Sequence, residues 1–234
     1  YLEGGVEILL RALIEKIAAM DGRLFFNAEV TGISKNKNSL TLTVNGQEQR
    51  FDRVISTIPL PYVTRIVAGL PADAIKKYEK LENIGVVCVI LKLTHSLTEN
   101  FWLNINDPEI ELPGIIEFSN INPLPEKVLY FPFYLPRAHR NFKKSDKDFI
   151  DEVTGYCQKI NPDFEKGWVL AARVHRYEYA QPVCVPGHLD LLPPIETGIP
   201  GLYVVDTSYY YPEDRSISES IEMGRKLAGM MKKK

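Results

Sequence analysis

Cysteine is scarce: Cys88, Cys157 and Cys184 are three in 234 residues, odd in number and far apart. That spacing builds neither a disulfide framework nor a clustered zinc site, so a reducing cytoplasm is the expected location. No apolar run approaches the roughly 20 residues that cross a bilayer, and no basic segment precedes an apolar core at the start. An integral membrane segment is therefore not expected. Charge of one sign is lacking too, with 28 Lys and Arg against 30 Asp and Glu and a net charge of −2. Without a basic stripe to replace phosphate counterions, a nucleic-acid partner is not expected. His95, His139, His175 and His188 have no metal-ligand spacing, and no Ser-His-Asp or Cys-His set can be assembled. There is no internal repeat. Nor does G-x-G-x-x-G follow any strand, although doubly wound folds hold a dinucleotide pyrophosphate with that loop.

What the chain does have is 45% hydrophobic residues, ample for one large or two small cores. Its most informative stretch runs from Gly201 to Gly229. Leu202 to Val205 reads as a short strand ending at a lone carboxylate, Asp206; an aromatic loop, Tyr209-Tyr210-Tyr211, follows. Ser216 with Glu219 three residues on is a capping box, and an apolar line through Ile217, Ile221, Gly224, Ala228 and Met231 marks a helix. The first turn of such a helix offers free N–H donors and a partial positive charge, suited to a phosphate or an electron-rich carbonyl.

Earlier in the chain, Val6 to Met20 carries a helical stripe opened by Gly4-Gly5 and closed by Gly22 as the residue beyond the cap. Leu24 to Phe26 reads as a short buried strand, and Val30 to Ser34 as an extended piece. Leu40 to Val44 alternates, turns at Asn45-Gly46 and returns through Phe51, which is a hairpin. Val54 to Ile58 is nearly all β-formers and stops at Pro59. Two short helices follow, the second over 71–81, then a strongly apolar strand over 86–93 with Cys88 inside it. Further strands over 101–105, 114–118, 128–134 and 168–177 suggest an antiparallel sheet, with a Ser145-capped helix running to Ile160. Arg137, His139 and Arg140 read as a solvated basic loop, and Lys232 to Lys234 as a solvated tail.

Three ordered segments together resemble the flavin-containing amine oxidoreductases, the group that includes protoporphyrinogen-oxidase-like and phytoene-desaturase-like enzymes. They are Gly4-Gly5 through Asn27-Ala-Glu-Val30, Phe51 through Thr57-Ile-Pro59, and Asp206 through Gly224. The resemblance implies an α/β (α+β) fold: the remnant of an FAD-binding Rossmann-like domain with an inserted lobe of antiparallel sheet and helices. On that basis residues 1–60 and 185–234 are expected to form the FAD-binding part and 61–184 the substrate-binding lobe.

It also implies an FAD-dependent oxidoreductase that passes a hydride from a small or apolar substrate to the flavin. The positions it assigns to the cofactor are Val30, beside the adenine; Pro59, beside the nucleotide; Asp206, at the ribityl-phosphate part; and Arg215, Ser216 and Ile217, under the flavin. Tyr177, Tyr179, Tyr209, Tyr210 and Tyr211 are candidates to line the substrate site. No catalytic residue is assigned, and no metal is expected. Ser216 stands where amine oxidases of this family carry an aromatic cage residue, which argues against a primary amine.

Starting at Tyr1 without the glycine loop, the chain is expected to be the C-terminal portion of a longer protein. Its missing N-terminal half would be its partner, and alone it would be inactive and hold no FAD. Two other readings stand beside this one. A sugar-mutase-like flavin isomerase is suggested by Trp102 and Glu117 to Asn120, and a module without catalysis by the absent phosphate loop.

Overall fold

The computed structural model describes residues 3–232; the tail read at Lys233 and Lys234 lies outside them. Contacts divide the chain into two compact units. One comprises residues 25–83 and 181–234, the other residues up to 24 and 84–180.

In the first unit, β1 (Val30–Asn36), β2 (Ser39–Val44) and β3 (Gln47–Phe51) form an antiparallel meander. Asn45 and Gly46 both take positive φ, 48° and 79°, as a two-residue hairpin requires. Asn45 is held there because its side chain accepts the Glu29 N–H at 2.9 Å and donates to Asn27 O at 3.0 Å.

β4 (Val54–Ser56) runs parallel to β10 (Leu202–Val204), with Val54 opposite Leu202 and Ser56 opposite Val204. A parallel pair needs a covered crossover, and β10 is buried throughout. Its cover comes from α2 (Leu60–Ile66) and α3 (Ala72–Lys80). Leu60, Val63, Ala74 and Tyr78 share a core with Ile33, Leu40, Leu202 and Val204. Because α2 and α3 contribute to this core, the unit extends to residue 83 instead of ending at 60. α3 starts at Ala72, one residue later than the 71–81 span read from the sequence, with Pro71 at its N-cap position.

The last helix, α6 (Ile217–Lys232), starts as the capping box predicts: Ser216 Oγ accepts the Glu219 N–H at 3.1 Å. Its buried face differs from the sequence expectation. Met223, Leu227 and Met230 pack on Val205, Ile195, Tyr209 and Tyr210, whereas Ile221 is 42% exposed and Ile217 and Ala228 are also open. The predicted line and the buried line are both apolar at helical spacing, so periodicity alone does not choose between them.

The second unit is built on a five-stranded sheet in the order β6-β7-β8-β5-β9. The strands are β5 (Asn83–Leu93), β6 (Trp102–Asn104), β7 (Gly114–Glu117), β8 (Lys127–Leu135) and β9 (Val169–Pro182). Alternation fixes the two faces. Val87, Val89, Leu91 and Leu93 of β5, with Leu129, Phe131 and Phe133 of β8, pack against Phe149, Val153, Tyr156 and Cys157 of α4 (Asp146–Ile160). The α4 residues recur at helical spacing on one face. Ser145 Oγ accepts the Asp148 N–H at 3.1 Å to start that helix. Arg176 closes the edge: it donates to Phe142 O and Lys144 O, pairs with Asp146 at 2.6 Å and lies over the Phe149 ring.

Two sequence expectations near the start are corrected. Leu24 to Phe26 is neither strand nor buried; Phe25 and Phe26 are each 73% exposed, because no strand among the described residues pairs with them. α1 (Val6–Ala19) buries none of its apolar stripe. The left-handed residue after α1 is Asp21, at φ 59°, and Gly22 instead donates its N–H to Ile17 O at 2.9 Å.

Candidate functional site

In open α/β sheets, ligands settle outside the carboxyl ends of parallel strands. Here those ends are Ser56, followed by Thr57-Ile58-Pro59, and Val204, followed by Val205-Asp206. The chain thus places Pro59 and Asp206, two of the predicted cofactor positions, at neighbouring strand ends. Pro59 is the N-cap of α2.

Asp206 joins the two ends. Its Oδ2 accepts the Leu60 N–H at 2.9 Å and its Oδ1 accepts the Ser208 N–H at 2.8 Å. Burial raises its carboxyl above the ordinary range, against the pull of the two amides and of the nearby His188 ring. Each carboxylate oxygen keeps a further lone pair, so Asp206 can accept another donor while holding both loops.

Three more polar groups surround it. Tyr78 of α3, 1% exposed, has its hydroxyl pushed up to about 12 by burial and by the charge of Asp206. Tyr209 donates to Pro193 O at 2.8 Å, and its hydroxyl is raised further by burial. His188, in the short helix α5 (His188–Leu191), donates from Nε2 to Ser208 O at 3.0 Å. The buried Tyr78 hydroxyl and His188 Nδ1 have no hydrogen-bond partner. Sequence reading missed Tyr78, His188 and the Leu60 amide, because their proximity to Asp206 is created by the fold and leaves no local pattern.

The other predicted residues fall into groups. Arg215, Ser216 and Ile217 lead into α6, exposed, in the unit that carries Asp206. The Ile217 and Ser218 amides belong to the first turn, where no intrahelical acceptor exists. Val30 opens β1 at a register shift between Val30 and Gly32. Tyr209 and Tyr210 are committed to packing, Tyr210 bonding Ser220 Oγ at 3.1 Å, while Tyr211 is exposed beside His188.

Tyr177 and Tyr179 lie on β9 of the other unit. Tyr179 accepts from Arg137 at 3.0 Å, and Arg137 pairs with Glu178 at 3.2 Å. Glu117, 2% exposed, accepts the Leu97 N–H at 3.1 Å and the Thr98 N–H at 2.8 Å, so it anchors a loop. Asn120 ties the same loop through Thr98 O and Asn100 O. Among the described residues, no group of three or more His, Cys, Asp or Glu could hold a metal, and no helix is long and apolar enough to cross a membrane.

A parallel strand pair covered by helices, an antiparallel meander beside it and a separate helix-backed sheet together make up a mixed α/β fold. The flavin containing amine oxidoreductase family matches residues 1–225, and the chain belongs to that family. No curated protein matches it. Solved structures share the fold. A putative protoporphyrinogen oxidase from Exiguobacterium sp. 255-15 is 17% identical with a TM-score of 0.67, over 85% of this chain and 46% of that one. Putrescine oxidase bound to putrescine is 13% identical with a TM-score of 0.69, over 94% and 52%. Reduced UDP-galactopyranose mutase is 16% identical with a TM-score of 0.64, over 86% and 45%. The chain spans about half the length of these proteins.

Proposed function

We propose that this chain is the C-terminal portion of an FAD-dependent oxidoreductase that takes a hydride from a small or apolar substrate. The observation that carries the reading is the hydrogen bond from the Leu60 amide, next to Pro59, to Asp206 at two neighbouring strand ends, in the unit that also holds the start of α6, together with family membership over residues 1–225. When bound, FAD supplies the hydride chemistry itself, accepting at N5 and spreading negative charge over N1 and C2=O.

The residues here fit such a group. Asp206 has lone pairs for a ribityl hydroxyl, Val30 and Pro59 offer main chain and an apolar ring to the nucleotide, and Arg215, Ser216 and Ile217 present a positive helix end. Residues 25–83 and 181–234 then form the FAD-binding part, and the sheet unit forms the substrate-binding part with Tyr177 and Tyr179. Tyr211 is the exposed member of the tyrosine triplet available to substrate. The three free cysteines suit a reducing cytoplasm. The missing N-terminal half would supply the phosphate loop, so this chain alone is inactive and holds no FAD.

The test is to purify the protein together with whatever precedes Tyr1 in its gene and record its visible spectrum. Flavin absorbance, with FAD released on denaturation, supports the reading. No flavin, before or after adding FAD, rejects it.

A further inference from the structure

The sheet unit has a second face, the one turned away from α4. On β5 and β8, the residues packed against α4 are the odd-numbered ones, so Val86, Cys88, Ile90 and Lys92 and then Val128, Tyr130, Pro132 and Tyr134 point the other way. The register aligns two of these, Ile90 and Tyr130, with Trp102 and Ile116 in one row across four adjacent strands. Trp102 of β6 is opposite Ile116 of β7, Ile116 opposite Tyr130 of β8, and Tyr130 opposite Ile90 of β5. At one strand spacing per step the row is ~14 Å long. It is aromatic and aliphatic throughout and carries no charge, and Trp102 at its outer end is 47% exposed.

The fifth strand changes the chemistry. On β9, Ala172 and Val174 pack on the core and Arg176 on Phe149, so Arg173 and His175 point to the same side as the row. Both are exposed, and β9 lies beside β5, at the end opposite Trp102. None of the outward positions on these strands is acidic. The nearby carboxylates already have cations: Glu126 holds Lys92 at 2.9 Å, and Glu178 holds Arg137. A cationic amine would meet no counter-charge on this face, whereas a carboxylate would meet Arg173 and His175.

We infer that the row Trp102–Ile116–Tyr130–Ile90 with Arg173 and His175 binds an elongated apolar molecule bearing a carboxylate at one end. This names the substrate class for the sheet unit, and it rests on reading that unit as the substrate-binding part.

The experiment uses this chain and the fluorescent fatty acid cis-parinarate, with its methyl ester, laurate and dodecylamine for comparison. The expected result is saturable parinarate fluorescence that laurate displaces and dodecylamine does not. Arg173→Gln should weaken the acid about tenfold, the loss of one charge-assisted hydrogen bond, and leave the ester unchanged. Trp102→Ala should weaken both. Absence of saturable binding, equal affinity for acid and ester, an Arg173→Gln acid affinity equal to wild type, or preferential displacement by dodecylamine would each overturn the inference. Both substituted side chains are exposed, so the variants are expected to fold. FAD binding by the full-length protein is read separately from its visible spectrum. A protein without flavin whose sheet still takes parinarate would reject the flavoenzyme reading and leave this one standing, and the converse result would do the opposite.

Discussion

Asp206 accepts the Leu60 N–H at 2.9 Å although 146 residues separate the two. With the Ser208 amide on its other oxygen, this one carboxylate sets where β4 and β10 release their chains. Replacing it by Ala strands two amides. Such donors cost on the order of 1–3 kcal/mol each when buried and unpaired, offset in part because a buried charge also disappears. Asp206→Ala is expected to destabilise the unit by about 2 kcal/mol in urea unfolding. Unchanged stability would mean that the two loops hold their places without it.

Glu117 gives a pH dependence of definite sign. Burial raises its carboxyl above the ordinary value more than the Leu97 and Thr98 amides lower it. The folded state therefore binds the proton more tightly than the unfolded chain does. Its contribution is full below the unfolded carboxylate value and is lost as pH rises through the raised folded value. Glu117→Gln has no charge to bury, so its unfolding free energy should fall less than that of wild type as pH climbs through this window. Parallel curves for the two proteins would refute the assignment.

How much of this was legible beforehand differs by element. The Asn45-Gly46 hairpin, the Ser145 and Ser216 caps and the β5 strand were readable because their signals are local: turn chemistry, a cap at fixed offset, a short apolar run of β-formers. Pro59 and Asp206 were readable as strand ends, but their cofactor roles were reached only through resemblance. What sequence could not give was partner choice. Leu24 to Phe26 looks like a buried strand but finds no neighbour among the described residues, and α6 offers two apolar lines of which the fold buries one. Tyr78 on α3 and His188 on α5 lie near enough to Asp206 to feel its charge, a proximity that no spacing encodes.

That choice of face on α6 is directly testable. Leu227→Ala empties a buried position and should cost about 2–4 kcal/mol, whereas Ile221→Ala on the open line should change stability by less than about 0.5 kcal/mol. Equal costs, or the reverse order, would move the buried face back to the line read from the sequence.

The three thiols should separate in a disulfide-exchange titration. Cys184 is exposed, Cys88 half-buried and Cys157 buried, the last with its thiol pushed up to about 12 by burial and the Glu117 charge. Thiolate is the reactive form, so native protein at mildly alkaline pH should label Cys184 first, Cys88 slowly and Cys157 only on unfolding. Early labelling of Cys157 would contradict the packing of α4 on the sheet.

Flavin binding is tested most directly by the cofactor content of the protein purified together with any segment its gene encodes ahead of Tyr1. One FAD per chain, released on denaturation, is the expected result, with this chain by itself colourless. A full-length protein that carries no flavin and takes up none on addition of FAD would contradict it.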